Sequence, residues 1–184
     1  MRALVQKLIR HFSGNFSFSD DLSINEIAKL MQDREPSLPT RLTWECKGKG
    51  YSLDIPVWNG FPALSISKLP DSSGFICFER PTKENNCLLV DAYGKERMRL
   101  VVPWEMAGNA GTSAEMRNHG KPKPQRMWFE NVSEPYAHPE TNEPGKFGVR
   151  CYLEYGDGLY EHSDYYFELD WCTGGFLWGR PIRD

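Results

Sequence analysis

Few residues in this chain are spaced for chemistry. The four histidines, His11, His119, His138 and His162, stand outside any G-x-S-x-G, Q-A-C or C-G-x-C context, so no nucleophile system is legible. Cys46, Cys77, Cys87, Cys151 and Cys172 are an odd set without a C-x-x-C pair. Four fall inside alternating apolar stretches and Cys172 ends another, where a thiol packs as a small hydrophobe and loses reactivity. Reduced thiols in a reducing compartment are the expectation. His138, Glu140, Glu143, Glu161, His162 and Asp164 carry donor atoms, but their spacing matches no H-x-x-x-H, H-E-x-x-H or EF-hand pattern, and no metal or other cofactor is expected. Gly108-Asn-Ala-Gly-Thr-Ser113, with Arg117, Lys121, Lys123 and Arg126 nearby, has the glycines and cations of an anion cradle. It lacks the lysine of a phosphate-binding loop and reads as a surface loop.

The carboxylates carry more. If Leu153, Tyr155, Phe167 and Leu169 face a core, alternation places Tyr152, Glu154, Tyr166, Glu168 and Asp170 together on the opposite face of neighbouring strands. Like charges across adjacent strands repel, so such a face needs good solvation or a cationic partner. Tyrosine adds rigid area with a polar tip, as binding hot spots do. Paired carboxylates on a sheet are also the apparatus of glycoside hydrolysis, which needs Glu154 and Glu168 about 5–9 Å apart, one protonated and one ionised. Trp58, in a Trp-Asn-Gly-Phe turn, and Trp104, where a strand leaves for a long excursion, are candidate loop contacts.

Charge along the chain is segregated. From Lys95 to Phe129 seven basic residues face three acidic ones, and from Phe147 to Asp184 three basic residues face seven acidic ones. The implied molecule is polar from end to end. Its formal charge is nevertheless −3, which lacks the basic coating of a nucleic-acid binder.

The elements that must position these residues follow from periodicity. Leu4, Val5, Leu8, Ile9 and Phe12 have helical spacing, and Ser23-Ile-Asn-Glu26 is a capping box that opens a second helix, with Ile24, Ile27, Ala28 and Met31 as its buried stripe and Pro36 as its stop. From Thr40 the period becomes two. Leu42, Trp44 and Cys46 alternate, Lys47-Gly-Lys-Gly50 turns, and Tyr51, Leu53, Ile55 and Val57 alternate back. Strands are expected over 62–68, 75–80, 87–91, 96–102, 125–132, 147–155, 165–171 and 176–179. Residues 103–146, with six prolines, form an irregular excursion, with a short helix after Thr112. The expected fold is α+β: two N-terminal helices packed on one large, strongly curved, mostly antiparallel sheet, curled or split into two layers, in a single domain over 1–184.

With 184 residues, 40% hydrophobic and 26% charged, the chain can bury a real core. Arg2, Lys7, Arg10 and His11 interrupt the first dozen residues, so no signal peptide is read there and a cytoplasmic location is expected. The function these observations favour is a non-enzymatic protein-binding module. It would be an acidic inhibitor or immunity-type protein masking the basic surface of a partner such as a toxin or nuclease, with neither nucleic acid nor membrane as partner. Two alternatives stay open: a glycoside hydrolase-like enzyme using the paired carboxylates, and a small-molecule binder with a pocket inside the curved sheet.

Overall fold

Alternation dominates the sequence, and strands make up 55% of the residues that the structure describes. The structure, a computed structural model, describes residues 3–32, 37–110, 124–155 and 163–182. The chain falls into two compact units: Met1–Pro81 with Val90–Arg97, and Thr82–Leu89 with Met98–Asp184. The fold is mainly β, which corrects the expected α+β arrangement of two N-terminal helices on one large sheet. The described residues instead form four antiparallel sheets and two short helices.

The first unit opens with β1 (Gln6–Phe12), β2 (Phe16–Ser19), α1 (Ile24–Met31), β3 (Pro39–Cys46) and β4 (Lys49–Asp54), the strands ordered β2-β1-β3-β4. The segment read as the first helix is therefore a strand. The reason is a bulge: Lys7 adopts φ +50° and the β1–β3 register slips between Gln6 and Ile9. One extra residue moves consecutive inward positions from two apart to three, so Val5 and Leu8 are both buried and mimic helical spacing. The second helix forms where its capping box lies. The Glu26 N–H donates to Ser23 Oγ at 3.3 Å and the Ser23 N–H to Glu26 Oε2 at 2.8 Å. Its expected buried stripe is only partly realised, with Ala28 exposed and Ile27 and Met31 half-buried. Pro36, the expected helix stop, lies outside the described residues.

In β3 the alternation is obeyed, with Leu42, Trp44 and Cys46 buried. Lys47 and Gly48, both at positive φ, make the two-residue turn into β4. The unit continues through β5 (Val57–Trp58), β6 (Phe61–Pro62), β7 (Leu64–Lys68) and β8 (Gly74–Glu79), with β5 pairing β6 and β7 pairing β8. Trp44 anchors the interior, its ring edge-on to Phe75 at 4.9 Å and its Nε1–H donating to the Ala92 carbonyl at 2.9 Å.

β9 (Cys87–Asp91) and β10 (Glu96–Leu100) follow, then α2 (Trp104–Ala110), which the sequence reading did not place. The second unit's sheet has the order β11-β12-β13-β14, from β11 (Pro124–Ser133), β12 (Gly148–Tyr155), β13 (Ser163–Asp170) and β14 (Gly175–Pro181). Its inner face buries Met127, Phe129, Val149, Cys151, Leu153, Tyr165, Phe167 and Leu169. Asn86 serves the edge strand as a backbone surrogate, since its side chain donates to the Phe129 carbonyl and accepts from the Phe129 N–H, both at 2.9 Å. Among the described residues no helix is long and apolar enough to cross a membrane. The helix expected after Thr112, residues 111–113 of the glycine-rich loop and the link that starts at Gly156 lie outside the described residues, while Gly108, Asn109 and Ala110 form the end of α2 rather than a loop.

Candidate functional site

The outer face of the second unit's sheet is set by its register. Arg126 stands opposite Glu154, Trp128 opposite Tyr152, and Arg150 opposite Tyr166, while Glu168 stands opposite Gly148. Tyr152, Glu154, Tyr166 and Glu168 therefore share one face, joined by Arg126, Trp128, Glu130, Arg150 and Asp164, which the sequence reading left out. Alternation about Met127 and Phe129 was the signal that could have found the β11 residues.

That face divides into a closed half and an open half. In the closed half, the segment between β11 and β12 lies over Tyr166 and Glu168, which are 0% and 4% exposed. The Tyr166 hydroxyl donates to Glu168 Oε2 at 2.5 Å and the Lys146 N–H to Glu168 Oε1 at 2.7 Å. The Tyr136 and Trp178 rings each pack 5.1 Å from that of Tyr166, and Arg180 sits 5.7 Å over Tyr136 while donating to the Ala137 carbonyl at 3.2 Å. Burial, then the bond to Glu168, pushes the Tyr166 hydroxyl pKa up, so it remains a donor. Gly145 permits this close cover, because a Cβ there would come within 2.5 Å of Glu168 Oε2.

In the open half, an aromatic pair is ringed by ions. Trp128 and Tyr152 pack at 4.8 Å, and the Arg126 guanidinium lies 5.8 Å from the Trp128 ring. Arg126 meets Glu154 at 3.3 Å, while Arg150 bridges Glu130, at 3.9 Å, and Asp164. Desolvation, then the carboxylates of Glu130 and Glu154, raises the Tyr152 pKa. Three carboxylates here stand against two guanidiniums. Antiparallel pairing of β11 with β12 sets one residue of the basic stretch, Arg126, against one of the acidic stretch, Glu154.

Asp170 serves the turn after β13. Its carboxylate accepts from the Thr173 hydroxyl at 2.7 Å and the Cys172 N–H at 3.0 Å, which lower its pKa in that order. A carboxylate with a depressed folded pKa contributes stability that is full above its unfolded pKa and is lost as pH falls through the folded one. Stepping the pH from about 5 to about 2 should therefore remove this contribution, and Asp170→Asn should flatten that part of the acid limb in urea titrations. Parallel curves for the two proteins would contradict the assignment.

Trp104 is half-buried and its Nε1–H donates to Glu84 Oε1 at 2.8 Å, whereas Trp58 is 40% exposed on the β5–β6 hairpin. Cys46, Cys77, Cys87 and Cys151 are buried, and burial pushes the Cys77 thiol pKa up to about 12. Among the described residues no three metal-binding side chains converge.

The glycosidase geometry is not met. Glu168 faces Gly148, six residues along β12 from Glu154, a separation of about 20 Å at roughly 3.3 Å per residue. One carboxylate is shut from solvent and the other is held by Arg126, so no sugar can lie between them as a pair.

Fold and site together define a mainly antiparallel β protein that presents an aromatic pair inside a ring of ion pairs. No known protein family matches the chain, and no curated protein sequence does. A chain of the solved structure of Tne2 in complex with Tni2 is similar in fold, with a TM-score of 0.58 over 98% of this chain and 100% of that one, at 11% identity.

Proposed function

We propose that this protein is a non-enzymatic, immunity-type binding module that covers the basic surface of a partner protein, such as a toxin or nuclease, with the open half of its β11–β12 face. The observation that carries the reading is the Trp128–Tyr152 pair framed by Arg126, Arg150, Glu130, Glu154 and Asp164. Tryptophan, tyrosine and arginine are the residues in which binding energy concentrates, and a polar rim that excludes water strengthens them. The excess of carboxylates on the rim suits a cationic partner and makes association fast and salt-sensitive. Likeness in fold to a chain from a two-protein complex supports the same reading. Tyr166 and Glu168 act from beneath, holding the covering segment and limiting the contact surface to the open half.

The test is capture of the partner from the cell that makes this protein, at low and high salt, followed by affinity measurement with the purified pair. Trp128→Ala should cost about 2 kcal/mol, roughly thirtyfold in Kd. Glu154→Lys should slow association and flatten its salt dependence. Unchanged affinity in Trp128→Ala and Tyr152→Ala would remove this face from consideration.

A further inference from the structure

The β5–β6 hairpin contradicts ordinary surface design. Every residue from Pro56 to Phe61 is exposed, with Val57 at 55%, Trp58 at 40% and Phe61 at 55%, and no charged side chain occurs between Ile55 and Ala63. Natural proteins usually blunt a projecting strand pair with charge. A two-stranded hairpin is also marginal by itself, yet this one is built to persist. Asn59 and Gly60, at φ +46° and +78°, make the tight turn that matches strand twist. Its root is fixed: the N–H of buried Ile55 donates to the Thr40 carbonyl at 2.8 Å, that of Ala63 to Pro56 at 2.7 Å, and that of Arg80 to Ala63 at 2.8 Å. The Arg80 guanidinium lies 5.6 Å from the Phe61 ring and makes no ion pair among the described residues.

We propose that this hairpin is a preformed finger that inserts into a concave apolar cleft of a partner protein, with Arg80 meeting a carboxylate on the rim of the cleft. The inference rests on the reading above only in taking the partner to be a protein. Two strands about 4.8 Å apart form a narrow convex wedge, which buries its side chains in a cleft and only its tip on a flat surface. Because the wedge is already ordered, little conformational entropy is lost on insertion. Arg80 supplies the charge complementarity that selects an acidic rim. An anionic lipid surface fits less well, since the finger bears no lysine and Asp54, three residues before Val57, has a 73% exposed side chain. Strands of two residues are also too short to template pairing with a second copy.

The experiment places photoreactive p-benzoylphenylalanine at position 61 or, separately, at position 152, in the cell that makes the protein, and maps the crosslinked peptides by mass spectrometry. The expected result is one protein linked from both positions, with the peptide from position 61 lying in an apolar concavity that carries Asp or Glu. Arg80→Glu should lower the yield at position 61 by about tenfold or more. Crosslinks from 61 only to lipid or to a second copy of this chain, or none from 61 while 152 reacts, would overturn the finger and leave the β11–β12 face standing. A flat target peptide or a yield indifferent to Arg80→Glu would also overturn it. A protein linked from 61 but not from 152 would support the finger and overturn the face. As a direct probe of the lipid alternative, a blue shift of Trp58 emission on phosphatidylglycerol–phosphatidylethanolamine vesicles, absent in Trp58→Ala, would count against the proposal.

Discussion

Gly74→Ala should destabilise the protein by about 3 kcal/mol or more, one of the two largest effects expected of any single substitution here. A Cβ at position 74 would stand 1.9 Å from the Val90 carbonyl oxygen and 2.9 Å from the Asp91 Cα. Overpacking against side chains typically costs about 1–3 kcal/mol because a rotamer can give way. Here the obstacle is backbone, so strand geometry itself must shift. Gly50→Ala is the matched comparison, since its Cβ would meet nothing within 4 Å and its φ is not positive. It should be neutral or stabilising by up to about 1 kcal/mol through the unfolded chain. Urea midpoints for the two variants test the contrast, and equal losses would show that close approach is not what Gly74 provides.

The same dependence on neighbours marks what was legible in the residues. Strand Cys87–Asp91 has the bounds that its apolar run implied, and Leu42, Trp44 and Cys46 point inward as alternation required, because both depend on local pattern alone. β1 was misread because its bulge is a property of pairing with β3, and nothing in Gln6 to Ile9 announces a left-handed lysine. That Tyr152, Glu154, Tyr166 and Glu168 share a face also followed from alternation. Their separation along the face did not, since it depends on which residue of β13 stands opposite Gly148. Arg126 of the basic stretch meets Glu154 of the acidic one because β11 pairs antiparallel with β12, a contact that charge counting along the chain does not show. The cover over Tyr166 was hidden for a further reason: a proline-rich excursion shows no periodicity from which its resting place could be inferred.

Glu168→Ala should cost about 3 kcal/mol and release the segment that closes half of the face. The side chain is nearly inaccessible, and each of its oxygens receives a hydrogen bond, one from the Tyr166 hydroxyl and one from the Lys146 N–H. Truncation leaves the buried Tyr166 hydroxyl proton and the Lys146 N–H without their acceptor, at about 1–3 kcal/mol each, with partial relief where the Lys146 amide reaches water. Glu168→Gln retains an acceptor oxygen and the side-chain volume and should lose less than half as much. Tyr166→Phe removes one donor while keeping the ring that fills the space over Gly148, where a Cβ would lie 2.1 Å from Tyr166 Cε2. It should fall between the glutamine variant and the alanine variant. Hydrogen exchange separates local release from general loss of stability: the Lys146 and Gly145 amides should lose protection in Glu168→Ala by more than the global change, whereas amides of β3 and β4 should follow the global change alone. If Glu168→Ala and Glu168→Gln were equally stable, or the Lys146 amide kept its protection in both, the carboxylate would not be what holds the segment down.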